Sequence, residues 1–167
     1  MLTATQAADV LNLVETSALN SLDADAWLKT GGTGGIGLVR PWAVGADRRY
    51  QGHELPAIVV RATQMSPASR TGPAGADELG VRLVVEVLDA GANAEAVTAN
   101  ARTIAARLRQ WIAAQSVAGG NRLDGLLDDG DGVIAPGEIR FVDEKPVDGT
   151  FWAVARIEAT VTLRAAV

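Results

Sequence analysis

The C-terminal stretch FWAVARIEATVTLRA, residues 151–165, alternates apolar and polar side chains along most of its length. A β-strand points successive side chains to opposite faces, so this alternation predicts a strand with one buried and one solvated face. Such a strand needs a second layer over its apolar face, which limits the chain to layered folds. The residues expected on the buried face are Phe151, Ala153, Ala155, Ile157, Ala159, Val161 and Leu163.

A long helix predicted over residues 93–115, NAEAVTANARTIAARLRQWIAAQ, can supply that layer. Its apolar side chains recur every three or four residues and therefore share one helix face. Asn93 is a suitable N-cap, and Gly119 and Gly120 are suitable terminators. The predicted stripe comprises Val97, Ala101, Ile104, Leu108 and Trp111 or Ile112, and Arg102, Arg107 and Arg109 lie off it.

The remaining segments complete a pattern of mixed helices and strands. Residues 5–19 predict a second main helix, and residues 56–62, 79–89 and 138–144 predict strands. The order α, β, β, α, β, β favours an α+β fold, with two main helices packed on one face of a mostly antiparallel sheet of about four to five strands. We expect a single domain over residues 1–167, with a candidate Gly-rich insertion at about 23–52 and a long loop at 64–78.

The charge balance narrows the classes of partner. The chain has a net charge of −5 and a sequence pI of about 4.8. Nucleic acids and anionic membranes attract basic surfaces, so we expect neither sequence-specific nucleic-acid binding nor membrane binding. The absence of cysteine excludes disulfides and cysteine-ligated metal centres. No apolar run approaches the roughly 20 residues of a membrane-spanning helix, and the first residues lack the basic start of a signal peptide.

The most conspicuous motif is TGGTGGIG, residues 30–37, which has the Gly-x-Gly-x-x-Gly spacing of a dinucleotide-binding turn. That motif works only between a buried strand and a helix whose N-terminal amides hold the pyrophosphate. The preceding residues here read as helical, and Pro41 would interrupt a helix that began at Gly37. We therefore interpret these glycines as a loop and expect no cofactor.

Residues 127–138, LDDGDGVIAPGE, resemble a calcium-binding loop of the EF-hand type. With Gly132 at the sharp turn, Asp129, Asp131 and Glu138 fall at positions three, five and twelve. Position one is Leu127 instead of an aspartate, and Pro136 lies within the loop. The three carboxylates are thus an incomplete calcium candidate, and the alternative is a solvated acidic turn between a helix and a strand.

No catalytic constellation is recognisable in the sequence. His53 is the only histidine, and the sequence places no nucleophile or orienting carboxylate with it. A structural role is the simpler interpretation of His53, and we expect the protein not to be an enzyme.

The order of elements from about residue 54 to residue 167 resembles the tail terminator (tail completion) proteins of long-tailed bacteriophages and prophage-like particles. The resemblance rests on the strand LPAIVV, a long polar loop, the strand VRLVVEVLD, the helix NAEAVTANARTIAARLRQWI, the acidic turn and the alternating last strand. The leading helix suits the same family, whereas residues 23–52 are not explained by it. The resemblance is one of element order and includes no invariant motif.

This resemblance implies a structural virion protein of the tail and neck, assembled in the host cytoplasm. Such proteins close into a homo-oligomeric ring, usually a hexamer, on the end of the tail tube. The ring stops tube polymerisation and presents a surface for head–tail joining, so the expected partners are further copies, the tail tube protein and the head-side connector protein. Candidate interface residues are Met65 and Arg70 in the long loop and Arg107 and Arg109 on the long helix.

A ring needs a heterologous interface that closes on itself. We expect the arginines of the long helix to meet the acidic segment 121–150 of a neighbouring copy. One alternative is another head–tail connector or tube-like subunit, because these share small α+β folds. A second alternative is a small soluble ligand-binding domain, which would require a concave site with convergent polar groups.

Overall fold

The computed structural model describes residues 2–30, 55–66, 76–117, 121–128, 132–143, 146 and 148–166. These residues contain four helices and four strands, which confirms the predicted α+β class. In chain order the elements are α1 (Ala4–Ala8), α2 (Val10–Asp23), α3 (Ala26–Thr30), β1 (Ala57–Ser66), β2 (Ala76–Gly91), α4 (Ala94–Ser116), β3 (Gly132–Asp143) and β4 (Phe151–Ala166).

The four strands form one antiparallel sheet in the order β1-β2-β4-β3. The central strands β2 and β4 pair along their full lengths, from Ala76 opposite Ala166 to Gly91 opposite Phe151. The predicted alternation of β4 is confirmed, because every second side chain from Ala153 to Leu163 is buried in the core. β1 and β3 are therefore the two edges of the sheet that the described residues form.

Helices α2 and α4 cover the same face of the sheet. α2 packs over β1 and β2, and α4 packs over β2, β4 and β3. The stripe predicted for α4 is buried in full, and Asn93 caps the helix by accepting a hydrogen bond from the backbone N of Ala96 (3.1 Å). Gly119 and Gly120 lie outside the described residues. No helix in the described part of the chain has the length and apolar composition needed to cross a membrane.

The helix predicted over residues 5–19 is two helices that meet at Asp9. The backbone of Asp9 leaves the helical region (φ −117°, ψ 31°), and its N–H donates to the carbonyl of Gln6. α2 then extends to Asp23, because Leu22 continues the buried row begun by Val10, Val14 and Ala18. The apolar pattern predicted the buried face but not the break between the helices.

Both ends of the loop predicted at residues 64–78 belong to strands. β1 continues to Ser66, opposite Gly80, and β2 begins at Ala76, opposite Ala166. Backbone pairing with a neighbouring strand extends the ladder through polar and small residues whose side chains carry no strand signal. Residues 67–75 lie outside the described part of the chain. Within the candidate insertion at 23–52, residue 23 belongs to α2 and residues 26–30 form α3. Residues 31–52 lie outside the described part of the chain.

β3 begins at Gly132, six residues before the predicted strand 138–144, and it contains a bulge. The ladder with β4 shifts between Pro136 and Ile139, so that one extra residue is accommodated opposite Glu158. As a result Pro136 and Ile139 both face the helices. A Cβ atom added at Gly137 would lie 2.8 Å from the carbonyl oxygen of Glu158, so this position requires glycine.

We predict that Gly137→Ala lowers the free energy of unfolding by about 1–3 kcal/mol, because the added methyl collides with backbone instead of a flexible side chain. Chemical denaturation measures this change. Ala135→Ser, at an exposed position of the same strand, is the control and should change stability by less than about 0.5 kcal/mol. A Gly137→Ala variant as stable as the wild type would contradict the bulge geometry.

Candidate functional site

The outer edge of β3 exposes three large apolar side chains. Val133, Phe141 and Val142 are 60%, 51% and 50% exposed, respectively. Among the residues that the structure describes, β3 pairs with β4 alone, so its other side faces away from the sheet. Phe141 lies opposite Ala155, on the helix side of the sheet, whereas Val133 and Val142 lie opposite Thr162 and Val154, on the other side. Exposed apolar side chains on an edge strand are typical of surfaces that contact another protein chain. We refer to Val133, Phe141 and Val142 as the β3 edge.

Sequence reasoning missed the β3 edge. Val133 and Ile134 were assigned to an acidic turn, and only residues 138–144 were predicted to be strand. The bulge also changes the phase of the alternation, so residues before and after it cannot be assigned to faces by counting in twos. The sequence contains one indication of the β3 edge, which is a pair of apolar residues near each end of the strand, Val133–Ile134 and Phe141–Val142.

Arg102 of α4 contacts the β3 edge, and Arg109 lies on the same side of the helix. The guanidinium carbon of Arg102 lies 5.9 Å from the ring centre of Phe141, within the range of a cation–π contact. Arg109, one of the predicted interface residues, is exposed and follows Arg102 by seven residues, which places both on the same side of the helix. We refer to Arg102, Arg109 and Phe141 as the α4 flank.

Arg107, also predicted as an interface residue, is engaged within the chain. Its Nη2 lies 2.7 Å from Oδ2 of Asp25, and its guanidinium carbon lies 5.9 Å from the ring centre of Trp27. The other oxygen of Asp25 accepts hydrogen bonds from the backbone N–H groups of Trp27 and Leu28 and so caps α3. Arg107 therefore fastens α3 to α4, on the side of α4 opposite Arg102 and Arg109.

The other sequence-predicted positions are not brought together by the described structure. Met65 lies in β1, opposite Val81 of β2. Arg70, His53 and the glycines of residues 31–37 lie outside the described residues. These predictions therefore stay predictions.

The calcium-loop interpretation is corrected from Gly132 onward. An EF-hand loop curves around its ion, whereas Gly132–Asp143 is a strand paired with β4. Glu138 lies in this strand, and its carboxylate binds Arg140 (Oε2–Nη2 2.7 Å). Leu127, at position one, is buried in the core. Asp129 and Asp131 lie outside the described residues, within which no group of three or more histidine or acidic side chains could hold a metal ion.

In the acidic turn after α4, the carboxylates of Asp124 and Asp128 accept hydrogen bonds from groups of the same chain. Asp128 accepts hydrogen bonds from the backbone N–H groups of Arg122 (3.0 Å) and Asn121 (2.7 Å), and these donors hold the pKa of Asp128 below its usual range. Asp124 accepts a hydrogen bond from the side chain of Asn20 (2.8 Å). Both carboxylates are thus already bound within the chain and are poorly suited to attract the arginines of a neighbour.

The sheet face away from the helices carries matched ion pairs. Glu86 is buried and lies opposite Arg156, whose Nη2 is 2.5 Å from its Oε1. Arg82 binds Glu158 (2.7 Å), and this hydrogen bond lowers the pKa of the Glu158 carboxyl. Since arginine and glutamate pair with one another across the strands, this face offers little net charge of either sign to a partner.

A polar cleft of about 340 Å³ lies between α2, α4 and the turn at residues 121–124. Its polar side chains mainly bind one another or the backbone. The Trp111 indole N–H donates to Ser21 Oγ (3.2 Å), and the Gln115 side chain accepts from the backbone N of Leu123 (2.7 Å). These contacts join α2, α4 and the turn, so the cleft gives the ligand-binding alternative no specific support.

Two carboxylates are buried on the helix side of the sheet. Glu15 of α2 is 5% exposed and accepts a hydrogen bond from the backbone N of Ala62 (3.1 Å), beside the bulge of β1. Burial raises the pKa of Glu15, and the Ala62 N–H and the charge of Arg61 oppose that rise. Burial likewise raises the pKa of Asp89, and hydrogen bonds from the backbone N of Ala90 (2.9 Å to Oδ1) and from the Asn100 side chain oppose that rise.

No protein-family model matches this chain, and no curated protein matches it. The function is therefore argued from the surfaces described above.

We predict that Glu15→Gln stabilises the protein at neutral pH. The raised pKa means that folding penalises the ionised carboxylate, whereas glutamine still offers an oxygen to Ala62. In the wild type this penalty is absent below the pKa of the unfolded chain and is complete above the raised pKa. The gain in melting temperature should therefore be small in acid and grow as pH rises through that interval.

Thermal unfolding of the wild type and Glu15→Gln across pH 3–8 tests this prediction. Glu15→Ala is the matched control, because it leaves the Ala62 N–H without its acceptor and should cost about 1–3 kcal/mol. A gain from Glu15→Gln that does not vary with pH would contradict the argument.

We predict that Arg107→Met and Arg109→Met differ in stability. Arg107→Met removes the ion pair with Asp25 and should lower the free energy of unfolding by about 1 kcal/mol. Arg109→Met makes the same chemical change at an exposed position and should have an effect below about 0.5 kcal/mol. Urea denaturation measures both values, and equal effects would mean that Arg107 does not anchor α3.

Proposed function

We propose that the protein is a structural subunit that assembles with further copies of itself, and specifically that these copies form the tail terminator ring of a long-tailed phage or prophage-like particle. The β3 edge carries the proposal of assembly. Its three apolar side chains are each at least half exposed on a strand that, in the described part of the chain, pairs on one side only, and a contact with another chain would remove them from water.

The arrangement of the domain supports lateral assembly. A ring needs two different surfaces on each subunit, so that one copy contacts the next in the same way around the circle. The β3 edge lies at one side of the domain, and α2 lies over β1 at the other. The domain therefore has distinct surfaces on its two sides.

The tail terminator role comes from the resemblance in element order. In this role the ring would sit on the end of the tail tube, stop the addition of further tube subunits and offer its outer surface to the head-side connector protein. The work would be mechanical and would need neither a catalytic residue nor a cofactor. The protein would act in the tail and neck of the virion after assembly in the host cytoplasm.

A second candidate, another head–tail connector or a tube-like subunit, would use the same lateral surfaces. A tube-like subunit would extend tail tubes, whereas a terminator would stop their growth. A connector would form a ring but would not stop tube growth. Tube elongation therefore separates the candidates.

We predict that the purified protein caps the ends of tail tubes from its own particle and stops their elongation by added tube protein. Negative-stain imaging should show one ring-shaped layer at the tube end, and tube lengths should stay constant. Phe141→Ser together with Val142→Ser should weaken ring assembly about tenfold or more, because each loses roughly 1 kcal/mol or more of apolar burial.

Val117→Ser is the matched control, because Val117 is an exposed valine at the C-cap of α4 and not part of β3. It should assemble and cap tubes as the wild type does. Tubes that continue to grow in the presence of the wild-type protein would overturn the terminator role. Unchanged assembly of the double β3-edge variant would overturn the role of the β3 edge.

A further inference from the structure

The described helices do not cover the whole helix side of β3. The helix-side residues of β4 are all buried, and Ile134 of β3 is only 3% exposed. Further along the same side of β3, Pro136 is exposed, Ile139 is partly buried and Phe141 is 51% exposed. Each lies opposite a buried residue of β4, so the three form one row. We refer to Pro136, Ile139 and Phe141 as the β3 shelf.

The side of α4 next to the β3 shelf carries positive charge. Arg102 lies over the ring of Phe141, and Arg109 follows it about 10 Å further along the helix axis. In the described part of the chain neither arginine forms an ion pair, whereas Arg107, on the other side of α4, is bound to Asp25. The β3 shelf is thus an apolar strip beside two cations that no carboxylate compensates there.

A partner on the β3 shelf is better placed on the helix side than at the strand edge. Pro136 has no N–H to donate, and the bulge at Gly137 interrupts the regular spacing of the strand. Glu138 and Arg140 add exposed charges, and all three features disfavour the addition of a further strand. Helices pack about 8–10 Å apart, so a helix packed beside α4 would lie along the β3 shelf.

The chain's own described helices do not supply the complementary surface. α1 and α3 contain no acidic residue. In α2, Glu15 is buried and Asp23 already has an interaction within the chain. The only acidic residue of α4 is Glu95, in its first turn. A second copy therefore offers no described helix with two free carboxylates, and charge complementarity favours a different protein.

We infer that the β3 shelf and the α4 flank together bind an acidic amphipathic helix of another protein. Apolar side chains three or four residues apart rest on the β3 shelf, and two carboxylates seven residues apart meet Arg102 and Arg109. This inference goes beyond the proposed function, because it adds a site for a different protein to the contact between copies. Val133 and Val142 lie on the other side of the sheet and take no part in it.

Two synthetic peptides of about 18 residues, long enough to form a helix, test the site by fluorescence anisotropy. The acidic peptide has leucines along one helix face and two glutamates seven residues apart beside them, and the basic peptide has lysines in place of these glutamates. The wild type should bind the acidic peptide at least about tenfold more tightly, despite its own net charge of −5. Arg102→Glu with Arg109→Glu should reverse the preference, a result that damage to folding cannot produce.

Two matched controls separate the site from general effects. Phe141 and Val142 are neighbours of similar exposure on opposite sides of the sheet. Phe141→Ser should weaken binding of the acidic peptide about tenfold, whereas Val142→Ser should change it less than about twofold. Arg82→Glu with Arg164→Glu makes the same change in net charge away from the helices and should still prefer the acidic peptide. Circular dichroism checks that every variant is folded.

The inference is wrong if the wild type binds neither peptide, if it binds both equally, or if Phe141→Ser and Val142→Ser have the same effect. It is also wrong if the charge-reversed variant loses self-association in sedimentation velocity while the wild type ignores the acidic peptide, because a second copy then occupies the β3 shelf. Tube capping is measured separately. A protein that binds the acidic peptide without stopping tube growth retains this site and loses the terminator role, and the opposite result retains only the terminator role.

Discussion

The packing of α4 on the small side chains of β4 determines where the other surfaces lie. Ala153, Ala155 and Ala159 face the helix from the central strand, and their size leaves room for large side chains of α4 such as Leu108 and Ile112. Close packing of this kind has few alternative arrangements, because interiors tolerate neither voids nor overlap. With α4 held over the middle of the sheet, one side of the helix faces α3 and the other faces β3.

That placement gives neighbouring arginines of one helix different surroundings. Arg107 meets Asp25 and Trp27 on one side, and Arg102 meets Phe141 on the other. Sequence analysis placed Arg102, Arg107 and Arg109 off the apolar stripe, which was correct. It could not say which side each arginine faces, because that depends on the elements that pack beside the helix and not on the helix period.

The parts of the fold that sequence analysis predicted well are those with an uninterrupted period. The twofold alternation of β4 and the stripe of α4 both follow from repeated burial of one face, and both are confirmed. The missed features are interruptions: the break at Asp9, the bulge at Gly137 and the strand residues near Ser66 and Ala76. Each is determined by hydrogen bonds between main-chain groups distant in sequence or by local backbone geometry. Of the candidate contact residues, Arg109 was predicted in advance, whereas Phe141 required the position of β3.

The hydrogen bond from Ala62 to Glu15 bears on how this sheet can grow. An open-ended fibre of stacked sheets requires a free edge on both sides of every copy, because each new copy must leave a template for the next. Here one main-chain donor of β1 is already occupied by a carboxylate from α2, beside a bulge in that strand. Because a further strand would have to pair with that donor, the helix that completes the core also makes the β1 edge a poorer template for strand addition than a fully free edge.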